Sequence, residues 1–174
     1  MGRFSSIKYV DDPLFECHGK RVLVRVDFNV PQDDAGLITN DKRIRESLPT
    51  INLLRQKGAK VILMSHLGRP KGKPNAKYSL KTVSLRLAEL LGAPVQMAPD
   101  CVGQFVADLT RKLQPGEVLL LENVRFHERE EGDAASFGKD LAPNGDIFVN
   151  DAFGTSHRDQ VSVTGVAKLL PPFG

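Results

Sequence analysis

The sequence predicts a Rossmann-like three-layer αβα domain, of the α/β class, built on a parallel sheet. Three observations predict this fold. Short, almost purely apolar runs recur along the chain, as is typical of strands that are buried on both faces. Amphipathic segments with helical spacing stand between these runs, as parallel crossover connections require. Each long run also ends in polar or basic residues. The runs lie at residues 22–24, 61–64, 118–121 and 147–149, and a further short strand is predicted at 95–97.

The segments between the runs predict the helices. Asn40 or Asp41 is expected to cap a first helix, which Pro49 should kink or restart. Ser79 should cap a second helix, and Asp100 a third, because short polar side chains satisfy the free amide groups of a first turn. A further short helix is predicted at residues 134–141.

The bulk composition narrows the class of protein. The chain has 174 residues, 41% of them hydrophobic and 26% charged, as expected for one globular domain. A net charge of +3 is too small to indicate a nucleic-acid partner, and no run of 18 apolar residues suggests a membrane span. Cys17 and Cys101 are far apart, which favours reduced thiols and a cytoplasmic location. The histidines and cysteines show no metal-ligand spacing, and residues 127–131 read as a solvated charged turn.

Polar residues continue the first apolar run in strict alternation. Arg25, Asp27 and Asn29 should face one way, while Val26 and Phe28 face the core. A guanidinium, a carboxylate and an amide would then point together toward a ligand. A structural ion pair between Arg25 and Asp27 explains the first two residues equally well.

Basic residues also follow the second and the last long runs. His66 and Arg69 come after the second run, and His66 could either bind a ligand or hydrogen-bond a backbone group. Because ligands of open parallel sheets bind at the carboxyl ends of the strands, we expect a small anion there, a phosphate or a carboxylate. Residues 68–73 approach a nucleotide-binding P-loop, but the spacing is one residue short and a proline follows the lysine, so we reject that site.

Five motifs, in order along nearly the whole chain, resemble the phosphoglycerate kinase family. The resemblance implies one of the family's two domains, the N-terminal 3-phosphoglycerate-binding domain, over residues 1–174. It implies an enzyme that reversibly transfers a phosphoryl group between 1,3-bisphosphoglycerate and ADP to give 3-phosphoglycerate and ATP in glycolysis. The motifs are Val24–Pro31, Arg43-Ile44, Ser65–Pro70, Leu121–Phe126 and Asn150–Thr155.

The resemblance also implies roles for particular residues. Arg43 is expected to serve the transferring phosphoryl group as the catalytic residue, and Arg25 and His157 to complete a basic patch. The residues expected to bind the glycerate are Asp27, Asn29, Arg43, His66, Arg69, Arg125 and Arg158. The chain departs from the family after Arg158, where Asp159-Gln160 stands in place of Ala-His. Whether Glu122 and Asp151 are ligands or scaffold is left open.

Cofactors and partners follow from the same resemblance. Mg-ATP or Mg-ADP should bind a C-terminal nucleotide domain that is absent from this chain, and no cofactor or metal is expected here. The expected partners are 3-phosphoglycerate or 1,3-bisphosphoglycerate and the missing domain, with a monomeric chain, no nucleic acid and no membrane. The isolated chain should bind substrate without turnover. The alternative is a stand-alone binding module for small phosphorylated acids.

Overall fold

The computed structural model describes residues 10–13, 15–132 and 134–152. Its strands are β1 (Arg21–Arg25), β2 (Lys60–Met64), β3 (Val95–Met97), β4 (Val118–Leu120) and β5 (Ile147–Asn150). They form one sheet in the order β3–β4–β2–β1–β5, and every pairing is parallel. All five strands lie at or within one residue of the apolar runs that predict them.

Helices cover both faces of this sheet. The α-helices are α1 (Lys42–Gln56), α2 (Lys81–Leu91), α3 (Gln104–Lys112), α4 (Arg129–Gly132) and α5 (Ala134–Leu141). Three short 3-10 helices join them: Ala76–Tyr78, Val124–Phe126 and Ala142–Asn144. None of the helices that the structure describes combines the length and apolar character needed to cross a membrane.

Alternate residues of each strand enter two separate cores. In β1, Val22 and Val24 pack with the buried faces of α1 and α2, whereas Leu23 packs with α3 and α5. Phe28, beyond the end of β1, joins the first core and is fully buried. Because successive side chains of a strand point to opposite faces, two helical layers sandwich the sheet, and the predicted three-layer domain is confirmed.

The first two helices begin close to their predicted caps. Asn40 Oδ1 accepts a hydrogen bond from the backbone amide of Lys42, and Ser79 Oγ accepts one from Lys81. The predicted restart at Pro49 is wrong, because α1 continues through this residue.

Two local predictions on the other side of the sheet are wrong. Asp100 does not cap α3, which begins after Gly103. The Oδ1 of Asp100 instead accepts a hydrogen bond from the amide of Cys101 at 2.6 Å and lies 2.7 Å from Nε2 of the distant His127. The stretch expected to be a solvated turn contains α4, and Glu130 within it is fully buried. Neither change is visible locally, because both depend on contacts with distant segments.

The strands leave the sheet side by side. Beyond β1, the amide of Val26 donates to Met64 O, and beyond β5 the amide of Asp151 donates to Arg25 O. The amide of Leu121, just after β4, donates to Leu63 O in β2. The exits of β5, β1, β2 and β4 therefore form one continuous edge, where the polar residues predicted to bind a ligand begin.

Candidate functional site

Arg25 is the last residue of β1 and is completely buried, with 0% of its surface exposed. Its Nη2 lies 2.8 Å from Nδ1 of His66, which follows β2. A guanidinium can only donate, so Nδ1 of His66 must accept and the ring hydrogen is assigned to Nε2. Arg25 therefore holds His66 as a neutral imidazole with an N–H donor on its far side.

The guanidinium of Arg25 keeps its positive charge although it is buried. Burial lowers the pKa of Arg25 to about 10, and Arg125 acts in the same direction, whereas the negative charges of Glu130 and Asp27 oppose this. Arg25 is consequently still charged at neutral pH. Its Nε and Nη1 find no hydrogen-bond acceptor within the described residues. Among the described residues, Arg25 hydrogen-bonds His66 and does not form the alternative ion pair with Asp27.

Arg43 supplies the partner of Asp27 instead. Arg43 lies in the first turn of α1, and its Nη1 is 3.3 Å from Asp27 Oδ1 and donates to Asn29 O at 2.8 Å. The Arg43 side chain is 48% exposed, so the pair lies at the surface and is weakly held. The helix thus places a positive charge over the exit of β1 that remains free to move toward an anion.

Asn29 connects the exit of β1 to the turn after β2. Its Oδ1 accepts from the amide of Gly68 at 2.9 Å, and Gly68 O in turn accepts from Nη1 of Arg125 at 3.2 Å. Gly68 has φ +63°, and a Cβ there would overlap the ring of Tyr78. Glycine is therefore required at the point where three sequence-distant segments meet.

Arg125 is held by the 3-10 helix that follows β4. The backbone amide of Arg125 donates to Asn123 Oδ1, and the side-chain Nδ2 of Asn123 donates to Leu67 O and Tyr78 O. Asn123 is buried, so these bonds fix the turn against the loop after β2. Because Nη1 of Arg125 also donates to Gly68 O, its side chain lies against the loop that carries His66 and Arg69.

Arg69 follows this glycine and is exposed. Among the residues that the structure describes, no ion pair or hydrogen bond occupies its guanidinium, which leaves all its donors for a ligand. Arg158, the remaining predicted contact, and His157 of the predicted basic patch lie outside the described residues, as do Asp159 and Gln160. Six of the seven predicted glycerate contacts and Arg25 thus come from the exits of β1 and β2, from the start of α1 and from the turn after β4.

Glu122 acts as scaffold in the described contacts. Its carboxylate accepts from Ser79 Oγ at 2.7 Å, from the amide of Leu80 at 2.9 Å and from the amide of Asn123 at 2.8 Å. A carboxylate at this position favours the first turn of α2, where free amides carry partial positive charge. Its oxygens are thereby committed to the fold.

Asp151 lies half-buried just beyond β5. Its Oδ1 accepts from Thr50 Oγ1 of α1 at 3.1 Å. Burial raises the pKa of Asp151 to about 6, and the hydrogen bond from Thr50 offsets only part of that effect. Asp151 ties the end of β5 to α1 beside Arg25.

Glu130 is the residue that the sequence analysis missed. It is fully buried in α4, and its negative charge is the largest influence that favours charged Arg25. A glutamate among four consecutive charged residues gives no local sign of burial. Only the presence of an unusually buried arginine at a strand end could have indicated that a buried counter-charge was needed.

The fold and this edge define a class: a Rossmann-like α/β domain whose strand exits carry several arginines, one of which hydrogen-bonds a buried histidine. The chain belongs to the phosphoglycerate kinase family, because the model of that family, described as "Phosphoglycerate kinase", matches residues 11–174.

Individual relatives agree with that membership. The chain is 56% identical over 169 residues to a phosphoglycerate kinase of Borrelia hermsii, a match that covers 97% of this chain and 42% of the relative. The crystal structure of phosphoglycerate kinase from Pyrococcus horikoshii OT3 is similar with a TM-score of 0.80 and 37% identity, covering 90% of this chain and 40% of that one. The structure of phosphoglycerate kinase from Coxiella burnetii is similar with a TM-score of 0.78 and 39% sequence identity. That match covers 90% of this chain and 39% of the Coxiella burnetii chain. The chain therefore spans about two fifths of the length of these relatives.

Proposed function

We propose that residues 1–174 are the N-terminal, 3-phosphoglycerate-binding domain of a phosphoglycerate kinase. The complete protein would reversibly transfer a phosphoryl group between 1,3-bisphosphoglycerate and ADP, as a step of glycolysis. Membership of the family supports this reaction. The observation that carries the proposal is the meeting of Arg43, His66, Arg69 and Arg125 around the Asn29–Gly68 hydrogen bond. Such a group of donors suits a small molecule that bears both a phosphate and a carboxylate.

Each side chain has a distinct part in holding 3-phosphoglycerate. Arg69 and Arg125 offer planar guanidinium groups for the phosphate, together with Arg158. His66 donates from Nε2 because Arg25 occupies its other nitrogen. Asn29 already uses Oδ1 on Gly68, so its Nδ2 is left to donate to the ligand.

Arg43 is the proposed catalytic residue. In the direction that forms 1,3-bisphosphoglycerate, the nucleophile is a carboxylate, which is already ionised at neutral pH and needs no general base. Acceleration then depends on alignment and on neutralising the charge of the moving phosphoryl group. Arg43 is held only by an exposed contact to Asp27 and one carbonyl, so a phosphoryl group can draw it away at small cost.

Magnesium nucleotide is assigned to the remainder of the full-length protein. Residues 68–73 are packed rather than cradle-like, because a Cβ on Gly68 would overlap Tyr78 and a Cβ on Gly72 would overlap Glu128. A carboxylate side chain beside Gly72 opposes binding of a polyphosphate. Residues 68–73 therefore do not form a cradle for Mg-ATP or Mg-ADP, and no step of the reaction is derived through this segment.

The remaining properties are proposals of the same kind. We expect a monomeric chain whose partner is the rest of its own polypeptide. Both cysteines are free and buried, which suits the reducing cytoplasm.

Titration calorimetry of the 174-residue chain with 3-phosphoglycerate tests the proposed site. Arg69→Ala should weaken binding at least tenfold, since a hydrogen bond to a charged group contributes about 1.5–3 kcal/mol. Arg111→Ala is the matched control, because Arg111 is an exposed arginine of α3 that pairs with Asp108. Unchanged affinity for Arg69→Ala, or equal losses in the two variants, would remove Arg69 from the site.

Turnover separates the complete enzyme from the isolated domain. In a coupled assay with ATP and 3-phosphoglycerate, the 174-residue chain should show none, because no nucleotide is held opposite the glycerate. In the full-length protein, Arg43→Ala should lower kcat more than it raises the Kd for 3-phosphoglycerate. Clear turnover by the short chain would contradict the division of labour, and a loss confined to affinity would make Arg43 a binding residue only.

A further inference from the structure

Three side chains with metal-binding atoms converge beside the exits of β3 and β4. One carboxylate oxygen of Asp100, the Sγ of Cys101 and one ring nitrogen of His127 lie within 4.8 Å of one another. The Nε2 of His127 is only 2.7 Å from Asp100 Oδ1. A carboxylate, a thiol and an imidazole thus face a common point, although spacing along the sequence shows no such set.

Sheet topology explains why these residues meet. Asp100 and Cys101 follow β3, and His127 follows the 3-10 helix after β4, while β3 and β4 are parallel neighbours. The amide of Glu122 donates to Asp100 O at 3.4 Å, which joins the two strand exits. The three donors are therefore placed by the sheet itself rather than by a mobile loop.

The surroundings orient two of the three donors. Cys101 is completely buried, and its carbonyl accepts from the buried Asn144 Nδ2 at 2.8 Å. The His127 ring packs against Phe137 with 5.2 Å between ring centres. Neighbours that fix ligand orientation in this way are typical of metal sites.

A cavity gives an ion access from solvent. It has a volume of about 600 Å³ and is lined in part by Asp100, Glu122, Phe126 and His127. The side chains of His127 and Asp100 remain 25% and 47% exposed and line this cavity, and the Sγ of the buried Cys101 lies directly behind them, within 4.8 Å of their ligand atoms. Glu122 is already committed to three hydrogen bonds, which leaves the fourth coordination position to water.

We infer that Asp100, Cys101 and His127 form a binding site for Zn²⁺ or a similar borderline divalent ion. One sulfur, one nitrogen and one oxygen are the donors that zinc takes in tetrahedral sites, whereas Mg²⁺ and Ca²⁺ require oxygen throughout. Zn²⁺ would replace the hydrogen between His127 Nε2 and Asp100 Oδ1, and the imidazole would carry its hydrogen on Nδ1. The thiol of Cys101 would lose its proton to solvent, so one proton leaves for each ion bound.

This site is separate from the proposed glycerate site. Its residues, Asp100, Cys101 and His127, include none of the proposed glycerate contacts. Zinc binding can therefore be measured without any substrate, and its failure would leave the proposed kinase function untouched.

The experiment uses the 174-residue chain and Co²⁺ as a spectroscopic stand-in for Zn²⁺. One Co²⁺ per chain should give a thiolate-to-cobalt absorption band in the near ultraviolet, and Zn²⁺ should abolish the band by competition. The Cys101→Ser variant should lose the band, and His127→Gln should weaken Zn²⁺ binding at least tenfold. The Cys17→Ser variant is the matched control, since Cys17 is the other buried cysteine and lies in the opposite core; it should keep the band.

Two outcomes of the cobalt experiment would overturn the inference. One is the absence of a thiolate band from the unchanged chain at saturating Co²⁺. The other is a band that survives Cys101→Ser or disappears in Cys17→Ser. Because Cys101→Ser places a hydroxyl in a buried site and can impair folding, the exposed ligand is tested in parallel with Asp100→Asn. That variant should also bind Zn²⁺ at least tenfold more weakly while keeping the circular dichroism of the unchanged chain, and unaltered binding would contradict the site.

Discussion

Asp151→Asn is expected to stabilise the chain at neutral pH and to have little effect below pH 4. Burial raises the pKa of Asp151 to about 6 in the folded state. Between pH 4 and pH 6 the folded chain retains a proton that the unfolded chain has released. The free energy of unfolding therefore falls as the pH rises through this window and levels off above it. An asparagine has no charge to bury and can still accept the hydrogen bond from Thr50.

The size of the effect follows from the two pKa values. The gap between the ordinary value of 3.8 and about 6 corresponds to roughly 3 kcal/mol at about 1.4 kcal/mol per pH unit. Asp151 is only half-buried, so solvent screening reduces this figure. We expect Asp151→Asn to add on the order of 1–2 kcal/mol to the free energy of unfolding at pH 7.5.

Urea unfolding between pH 4 and pH 8, followed by circular dichroism, measures this difference. Asp146→Asn is the control, at the other end of β5. Asp146 is also partly buried, but its hydrogen bonds and ion pair with Arg21 outweigh that burial and lower its pKa. Its substitution should therefore destabilise the chain above pH 4, with less effect in more acidic solution. A pH-independent effect of Asp151→Asn, or a loss of stability at pH 7.5, would refute the reasoning.

Two further substitutions test the scaffold of the proposed site. In Gly68→Ala, the new Cβ would sit at a left-handed φ of +63° and overlap the ring of Tyr78. We therefore expect the free energy of unfolding in urea to fall by about 1–3 kcal/mol and 3-phosphoglycerate to bind more weakly. Wild-type values for both would show that the turn adapts freely. Glu130→Gln removes the buried negative charge that favours charged Arg25, so it should lower the free energy of unfolding by about 3–5 kcal/mol. Glu128→Gln is the control, because Glu128 is exposed and its substitution should leave the stability almost unchanged. Equal effects of the two variants would mean that burial of the charge is unimportant.

Much of the fold could be predicted because parallel strands carry their own signal. A strand buried on both faces has no room for polar residues, so runs such as 61–64 and 118–121 stand out from the helices around them. The end of α2 at Gly92 likewise follows from a left-handed residue that glycine adopts without strain. The cap predicted at Asp100 is wrong because a short polar residue before an apolar helix suits a helix cap and a tertiary contact equally well.

The candidate site was only partly accessible from sequence. The alternation of residues predicts that Arg25, Asp27 and Asn29 face the same way, and in the structure they contact His66, Arg43 and the amide of Gly68. The sequence could not show that Asp27 pairs with Arg43 rather than with Arg25, because that choice depends on how α1 crosses the strand exit. Nor could it bury Glu130, since burial of one charge depends on the position of another far along the chain.

β1 lies between β2 and β5, and its last neighbour is separated from it by more than a hundred residues of chain. On a translating ribosome, the side of β1 that later receives β5 must stay unpaired until residues 147–150 have emerged. An open apolar strand edge invites pairing with other nascent chains. The order of strands therefore leaves one edge of β1 open throughout the synthesis of residues 26–146.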